Sequence, residues 1–282
     1  MDVFYLKKHI LNSLEEDIRN GDISSIACID ASADRKVKLI AKDTGILCGL
    51  DVFCMVFDAL DSEKDLVTEC FRKDGDKVSY GDVIAKISGN ARNILSAERT
   101  ALNYIQLMSG IATSANYYVS LLEGMHTKIL DTRKTTPGLR ELEKYAVKIG
   151  GGYNHRFGLF DMIMLKDNHI DFAGGIKQAI SKTNEYIKTN NLSVKIEIEV
   201  RSFEELSEVI ECGNIDRIMM DNFSPVDLKK AVDIIGGRYE TEASGGITDK
   251  TLKDYAASGV DYISIGALTH HIQAMDFSLV SD

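Results

Sequence analysis

The chain has 282 residues, 44% of them hydrophobic and 27% charged, which suffices for one large barrel or two ordinary domains without staples. A formal charge of −10 opposes long-range attraction to nucleic acid or an anionic membrane, so a phosphate-bearing ligand needs a local basic pocket. Cys28, Cys48, Cys54, Cys70 and Cys212 form no CxxC pair and follow no secretory segment, and no apolar run nears the roughly 20 residues that span a bilayer, which points to reduced thiols in a cytoplasmic protein.

In chain order, residues 37–50 read as strand and turn and residues 51–60 as a short buried helix. Residues 67–89 set a DG turn and a YGD turn between alternating segments, the pattern of a small strand-rich wrap. From Leu95 onward, Leu102, Ile105, Leu107 and Ile111 continue the apolar face of a helix that links two domains. Short apolar segments at 128–133, 162–167, 195–200, 217–221, 239–244 and 262–266 then alternate with helical stretches, which predicts a parallel sheet long enough to close into a barrel. The expected division is an N-terminal α+β domain over 1–108 and an α/β barrel over 109–270, with the tail 271–282 packing on the first domain.

Arg133, Lys166, Glu199, Asp221, Ser244 and Gly266 fall at or just beyond strand ends, the edge where barrel enzymes keep their chemistry. Any one of them alone reads as a loop residue; their recurrence around one rim favours a site. Residues 128–166 carry eight basic residues against four acids within an acidic chain. Lys144 and Lys148 are expected on a solvated helix face beside Glu141 and Glu143. Arg133, Lys134, His155, Arg156 and Lys166 have no such helical account, and two arginines with two lysines imply a multiply charged anion, since guanidinium forks hold carboxylate or phosphate bidentately. The TTPG run, with Thr135 first and Pro137 in an expected opening helical turn, offers hydroxyls and backbone N–H groups to such an anion. An isolated histidine at 155 would read sooner as a neutral core residue, whereas its place between Asn154 and Arg156 favours ligand binding, and His169 is expected to orient the KDN turn.

The segments ERTALN (98 to 103), SGIAT (109 to 113), DTRKTTPGLRELEKYAV (131 to 147), GGGYNHR (150 to 156), KDNH (166 to 169), DNFSP (221 to 225), SGGI (244 to 247) and DYISIGALTH (261 to 270) together resemble the quinolinate phosphoribosyltransferases. The resemblance implies an incomplete TIM-like α/β barrel, the type II phosphoribosyltransferase fold, with an N-terminal α+β sandwich domain. It also implies transfer of phosphoribose from phosphoribosyl pyrophosphate to quinolinate with loss of carbon dioxide, giving nicotinate mononucleotide and pyrophosphate. Arg133, Lys134, Thr135, His155, Arg156 and Lys166 then correspond to the pocket for quinolinate and phosphates, with Lys134, Lys166, Glu199 and Asp221 closest to the chemistry. Glu199 and Asp221 match an acidic pair near the ribose and Mg²⁺, which takes oxygen ligands. Ser244, Gly245, Gly246 and Gly266 match a phosphate cradle, and Arg99 matches an arginine that completes the neighbouring subunit's site, which implies a homodimer. The alternatives are a related phosphoribosyltransferase or pyrophosphorylase for another base, a lyase using Lys166 as a Schiff base, and a non-catalytic ligand sensor.

Overall fold

The computed structural model describes residues 3–61 and 65–282. The chain runs α1 (Val3–Ile18), α2 (Ile23–Cys28), β1 (Asp34–Ala41), β2 (Gly45–Ile46), α3 (Leu50–Leu60), β3 (Val67–Cys70), β4 (Lys77–Val78) and β5 (Val83–Asn90). It continues through α4 (Ala91–Leu121), β6 (Lys128–Leu130), α5 (Arg140–Ile149), β7 (Ile163–Leu165), α6 (Asp167–Ala173), α7 (Ile176–Thr189), β8 (Ile196–Val200) and α8 (Phe203–Cys212). The last elements are β9 (Arg217–Asp221), α9 (Pro225–Ile235), β10 (Glu240–Ser244), α10 (Leu252–Ala256), β11 (Tyr262–Ser264), α11 (Ala267–His270) and β12 (Phe277–Ser281). Two compact units result, one of Met1–Asn116, Thr135–Gly151 and Ala267–Asp282, the other of Tyr117–Lys134 and Gly152–Gly266.

The first unit holds a four-stranded sheet in the order β12-β1-β5-β3, in which the C-terminal strand pairs antiparallel with β1 from Val37 opposite Ser281 to Ala41 opposite Phe277. Leu39, Phe53, Phe57, Ile87, Ile94 and Ile105 are fully or almost fully buried here, each worth about 2 kcal/mol of transfer free energy. Residues 135–151, expected in the barrel, belong to this unit instead. The cause is packing against α4: a Cβ added to Gly150 would lie 2.3 Å from the Ala112 carbonyl oxygen, so only glycine permits the approach, and Asn116 Nδ2 donates to the Gly150 carbonyl at 3.4 Å. On α5, where a solvated face was expected at Lys144 and Lys148, only Lys148 is exposed. Lys144 is buried, and Glu143, also buried, accepts the Thr136 N–H. The helix begins at Arg140, so Pro137 lies in the preceding turn and does not open it.

The second unit is a six-stranded parallel sheet in the order β6-β11-β10-β9-β8-β7, curving as an incomplete barrel: among the described residues β6 and β7 do not pair, and β6 gains only a bridge from Leu130 to Tyr153. Its strands show why the pattern could be read from sequence. In β8, Ile196, Ile198 and Val200 alternate with Glu197 and Glu199, and all five are buried, as a parallel strand covered on both faces requires. The strand-to-helix turns are capped by short polar side chains. Ser202 Oγ accepts the Glu205 N–H at 3.2 Å to start α8, and Ser224 Oγ accepts the Asp227 N–H at 3.1 Å to start α9, with Pro225 in the first turn. His169 Nδ1 accepts the Lys166 N–H at 3.0 Å, so this histidine does orient the turn into α6.

Candidate active site

Strand register arranges the barrel's polar side chains in rows. Met219 on β9 is flanked by Glu199 on β8 and Glu242 on β10, with Asp221 beside Ser244 one step towards the strand ends and Glu197 beside Arg217 one step below. The two upper rows line a cavity of about 430 Å³. Of the residues proposed from sequence, Arg133, Lys134, His155, Arg156, Lys166, Glu199, Asp221 and Ser244 share its walls. Thr135 does not; it belongs to the first unit, where its hydroxyl accepts from Arg140 Nε at 3.0 Å. Arg99 also lies in the first unit, exposed on α4 in a separate cavity of about 410 Å³ with His9, Glu16 and Asp17. Gly245, Gly246 and Gly266 follow strand ends without lining the barrel cavity. Gly245 has a packing reason: its φ is +105°, and a Cβ there would meet Asn222 Oδ1 at 2.2 Å.

The basic wall is held by its own loop. The His155 N–H donates to buried Asp131 Oδ1 at 2.8 Å, and Asp161 accepts the Phe157 and Gly158 N–H groups at 2.6 and 2.8 Å, which fixes the chain on both sides of Arg156. Arg156 Nη1 donates to the Met162 carbonyl at 3.2 Å. Burial and then the neighbouring Arg133 charge lower the Arg156 pKa, while Arg133 makes no hydrogen bond or ion pair among the described residues. Two guanidinium groups that repel one another in a half-buried pocket suit a bound dianion, which would relieve both.

Opposite stand the acids. Lys166 Nζ lies 2.8 Å from Glu199 Oε2. Burial, followed by the charge of Glu199, raises the Asp221 pKa, and Asn222 Nδ2 donates to Asp221 Oδ2 at 2.6 Å. Two neighbouring carboxylates, offering oxygen alone, fit a hard divalent cation such as Mg²⁺.

Sequence reasoning missed Thr132, Met164, Met219, Glu242 and Ser264 in the walls. Glu242 was within reach of it, because it precedes Ser244 by two residues and so points to the same side of β10. Met219 and Met164 carried no signal apart from ordinary core residues. Burial, then the charge of Glu197, pushes the Glu242 carboxyl up to about 8.

The chain matches the family profile described as quinolinate phosphoribosyl transferase, C-terminal domain, over residues 111–280, and that of the N-terminal domain over residues 22–109. It is 45% identical to the chloroplastic nicotinate-nucleotide pyrophosphorylase [carboxylating] of Arabidopsis thaliana, over 98% of this chain and 83% of that protein. It is 43% identical to the probable nicotinate-nucleotide pyrophosphorylase [carboxylating] of Bacillus subtilis, over 99% of this chain and 94% of that one. The solved structure of the nicotinate-nucleotide pyrophosphorylase from Francisella tularensis superposes with a TM-score of 0.94 at 40% identity, covering 100% of this chain and 98% of the other. With both domains matched in order and the pocket formed from the shared motifs, the chain belongs to the quinolinate phosphoribosyltransferase family.

Proposed function

We propose that this enzyme condenses quinolinate with phosphoribosyl pyrophosphate, releasing pyrophosphate and carbon dioxide and yielding nicotinate mononucleotide for NAD synthesis. One observation carries the reading: Arg133, Lys134, Arg156 and Lys166, from three separate loops, line one cavity opposite Glu199 and Asp221. A pyridine dicarboxylate and a polyphosphate need that density of cations, and an oxocarbenium-like ribose needs the acids.

In this reading Arg133 and Arg156 hold the quinolinate carboxylates with Lys134 and Lys166, presenting the ring nitrogen to the anomeric carbon. The positive ring nitrogen then stabilises the electron pair left at C2, so the adjacent carboxylate leaves as carbon dioxide and C2 takes up a proton from solvent, without a further cofactor. Glu199 and Asp221 would hold Mg²⁺ between carboxylate and water ligands. When bound, that ion neutralises charge developing on the departing pyrophosphate. Ser244 and the glycine turn beside it are assigned to phosphate, as are Gly266 and Thr135 at their loops. Arg99, exposed on α4, is assigned to the second copy's pocket in a homodimer.

A cytoplasmic location is consistent with five free cysteines; among the described residues no helix is long and apolar enough to cross a membrane. The decisive assay supplies quinolinate, phosphoribosyl pyrophosphate and Mg²⁺ and measures carbon dioxide and nicotinate mononucleotide. Nicotinate in place of quinolinate should turn over poorly; equal turnover would refute a pocket built for two carboxylates.

A further inference from the structure

In the pocket wall, at His155 and Glu242, and one row below it, at Glu197 and Arg217, the barrel interior holds charges that the transfer reaction does not itself require. Glu197 and Glu242 are fully buried, and Arg217 and His155 are nearly so. Arg217 is clamped at the start of β9: Nε and Nη2 donate to Glu240 Oε2 at 3.2 and 3.0 Å, and its guanidinium lies over the Tyr262 ring at 4.2 Å. Its Nη1 reaches inward to Glu242 Oε2 at 2.9 Å and stands 4.0 Å from Glu197 Oε2. His155 Nε2 lies 2.9 Å from Glu197 Oε2 and 3.5 Å from Glu242 Oε2, and His155 Nδ1 accepts the Arg156 N–H at 2.7 Å.

These contacts decide the state of the imidazole. A ring nitrogen that accepts a backbone N–H carries no proton, so the one proton of His155 sits on Nε2, which is buried 2.9 Å from Glu197 Oε2 without meeting hydrogen-bond geometry. Both nitrogens then face protein groups, and neither is left to donate to a substrate anion. We propose that Arg217, Glu197 and Glu242 are positioning residues that hold His155 as a neutral Nε2–H ring, so that the pocket meets quinolinate there with an uncharged wall in place of a fifth cation.

The chemistry gives that arrangement a purpose. Four cations already line the cavity, and a further positive charge would stabilise the ground-state carboxylate that must leave, slowing the step it precedes. The three ligand atoms of His155, Glu197 and Glu242 lie within 4.8 Å of one another, a spacing a metal ion could also use. Arg217 already provides the cation on Glu242, which makes a second positive ion in the same buried space costly.

The inference rests on the quinolinate-transfer reading of the cavity, and its test separates the two. Imidazole ¹⁵N–¹H correlation spectra of the full-length enzyme, with the signal assigned by its loss in His155→Gln, should show the Nε2–H tautomer across the neutral pH range. An imidazolium or Nδ1–H pattern would overturn the proposal whatever the enzyme turns over, while absence of quinolinate turnover in the wild type would overturn only the underlying reading. Arg217→Met should leave the acids unbalanced and drive a proton onto His155, moving its signals to imidazolium values and lowering kcat roughly tenfold with KM unchanged or lower. The double variant Arg217→Met/Glu197→Gln removes the guanidinium together with the carboxyl group 2.9 Å from the ring and should restore the neutral ring and most of kcat. A raised KM, or a double variant as impaired as the single, would mean a merely structural role and end the proposal, as would stoichiometric metal in the purified protein. Should Arg217→Met not fold, the wild-type spectrum still decides.

Discussion

The two ends of the barrel are both lined with charge, yet they are built in opposite ways. At the strands' starting edge, a cavity of about 690 Å³ is walled by Lys128, Lys195, Asp216, Glu240, Asp261 and Tyr262 among others, and its charges are paired. Lys195 and Arg217 share Glu240, Asp261 accepts from the Thr241 hydroxyl at 2.7 Å, Asp216 accepts the Ile196 N–H, and Lys128 lies 5.0 Å over the Tyr153 ring. At the finishing edge the cavity is smaller, about 430 Å³, but there two arginines repel one another and two acids crowd together. Volume alone would select the wrong end. Charges left for a ligand to neutralise, at the edge where the strand-to-helix loops vary, mark the site.

This contrast can be broken most directly at Arg156. Arg156→Ala should lower kcat/KM for quinolinate about 100- to 1000-fold, the loss of one bidentate charge-assisted contact, in steady-state assays with quinolinate varied. Glu199→Gln should raise the Mg²⁺ concentration needed for half-maximal rate about 10- to 100-fold, and an unchanged requirement would remove Glu199 from the metal's neighbourhood. Gly245→Ala sets a Cβ against Asn222 at a strained φ and should cost about 1–3 kcal/mol in denaturant unfolding, with reduced activity.

A smaller effect tests the buried row. A carboxyl kept neutral in the fold, as Glu242 is with its pKa up to about 8, favours folding fully below its unfolded value of 4.5, and that contribution is lost as pH rises through about 8. Melting temperatures of the wild type should therefore decline across that window more than those of Glu242→Gln, and parallel curves would contradict the assignment. The smallest effect belongs to the paired end: Lys195→Met breaks an exposed ion pair and should change stability by less than about 1 kcal/mol, with activity within about twofold. A large loss of turnover there would erase the distinction between the ends.

Much of the site was legible in the chain because a parallel strand alternates strictly and its last inward residue lies at the rim. Arg133, Lys166, Glu199, Asp221 and Ser244 could be read that way, and the eight motifs named the family. Glu197, two residues before Glu199 and so on the same side of β8, is fully buried. Lys144 could not: beside Glu141 and Glu143 it has the spacing of a solvated face, yet it is buried, while Lys148 one turn on is exposed.

What the sequence determined by itself, then, was the order of strands, their inward-facing residues and the kind of anion they suit, since periodicity and residue chemistry are local properties. Which inward residues meet across strands was decided by the tertiary structure. The row that joins Arg217 to Glu197, and through Glu242 to His155, depends on the relative register of three strands and a loop, and so does the tautomer of that histidine. Register between segments tens of residues apart is set by packing of the whole sheet, which no single stretch of the chain encodes.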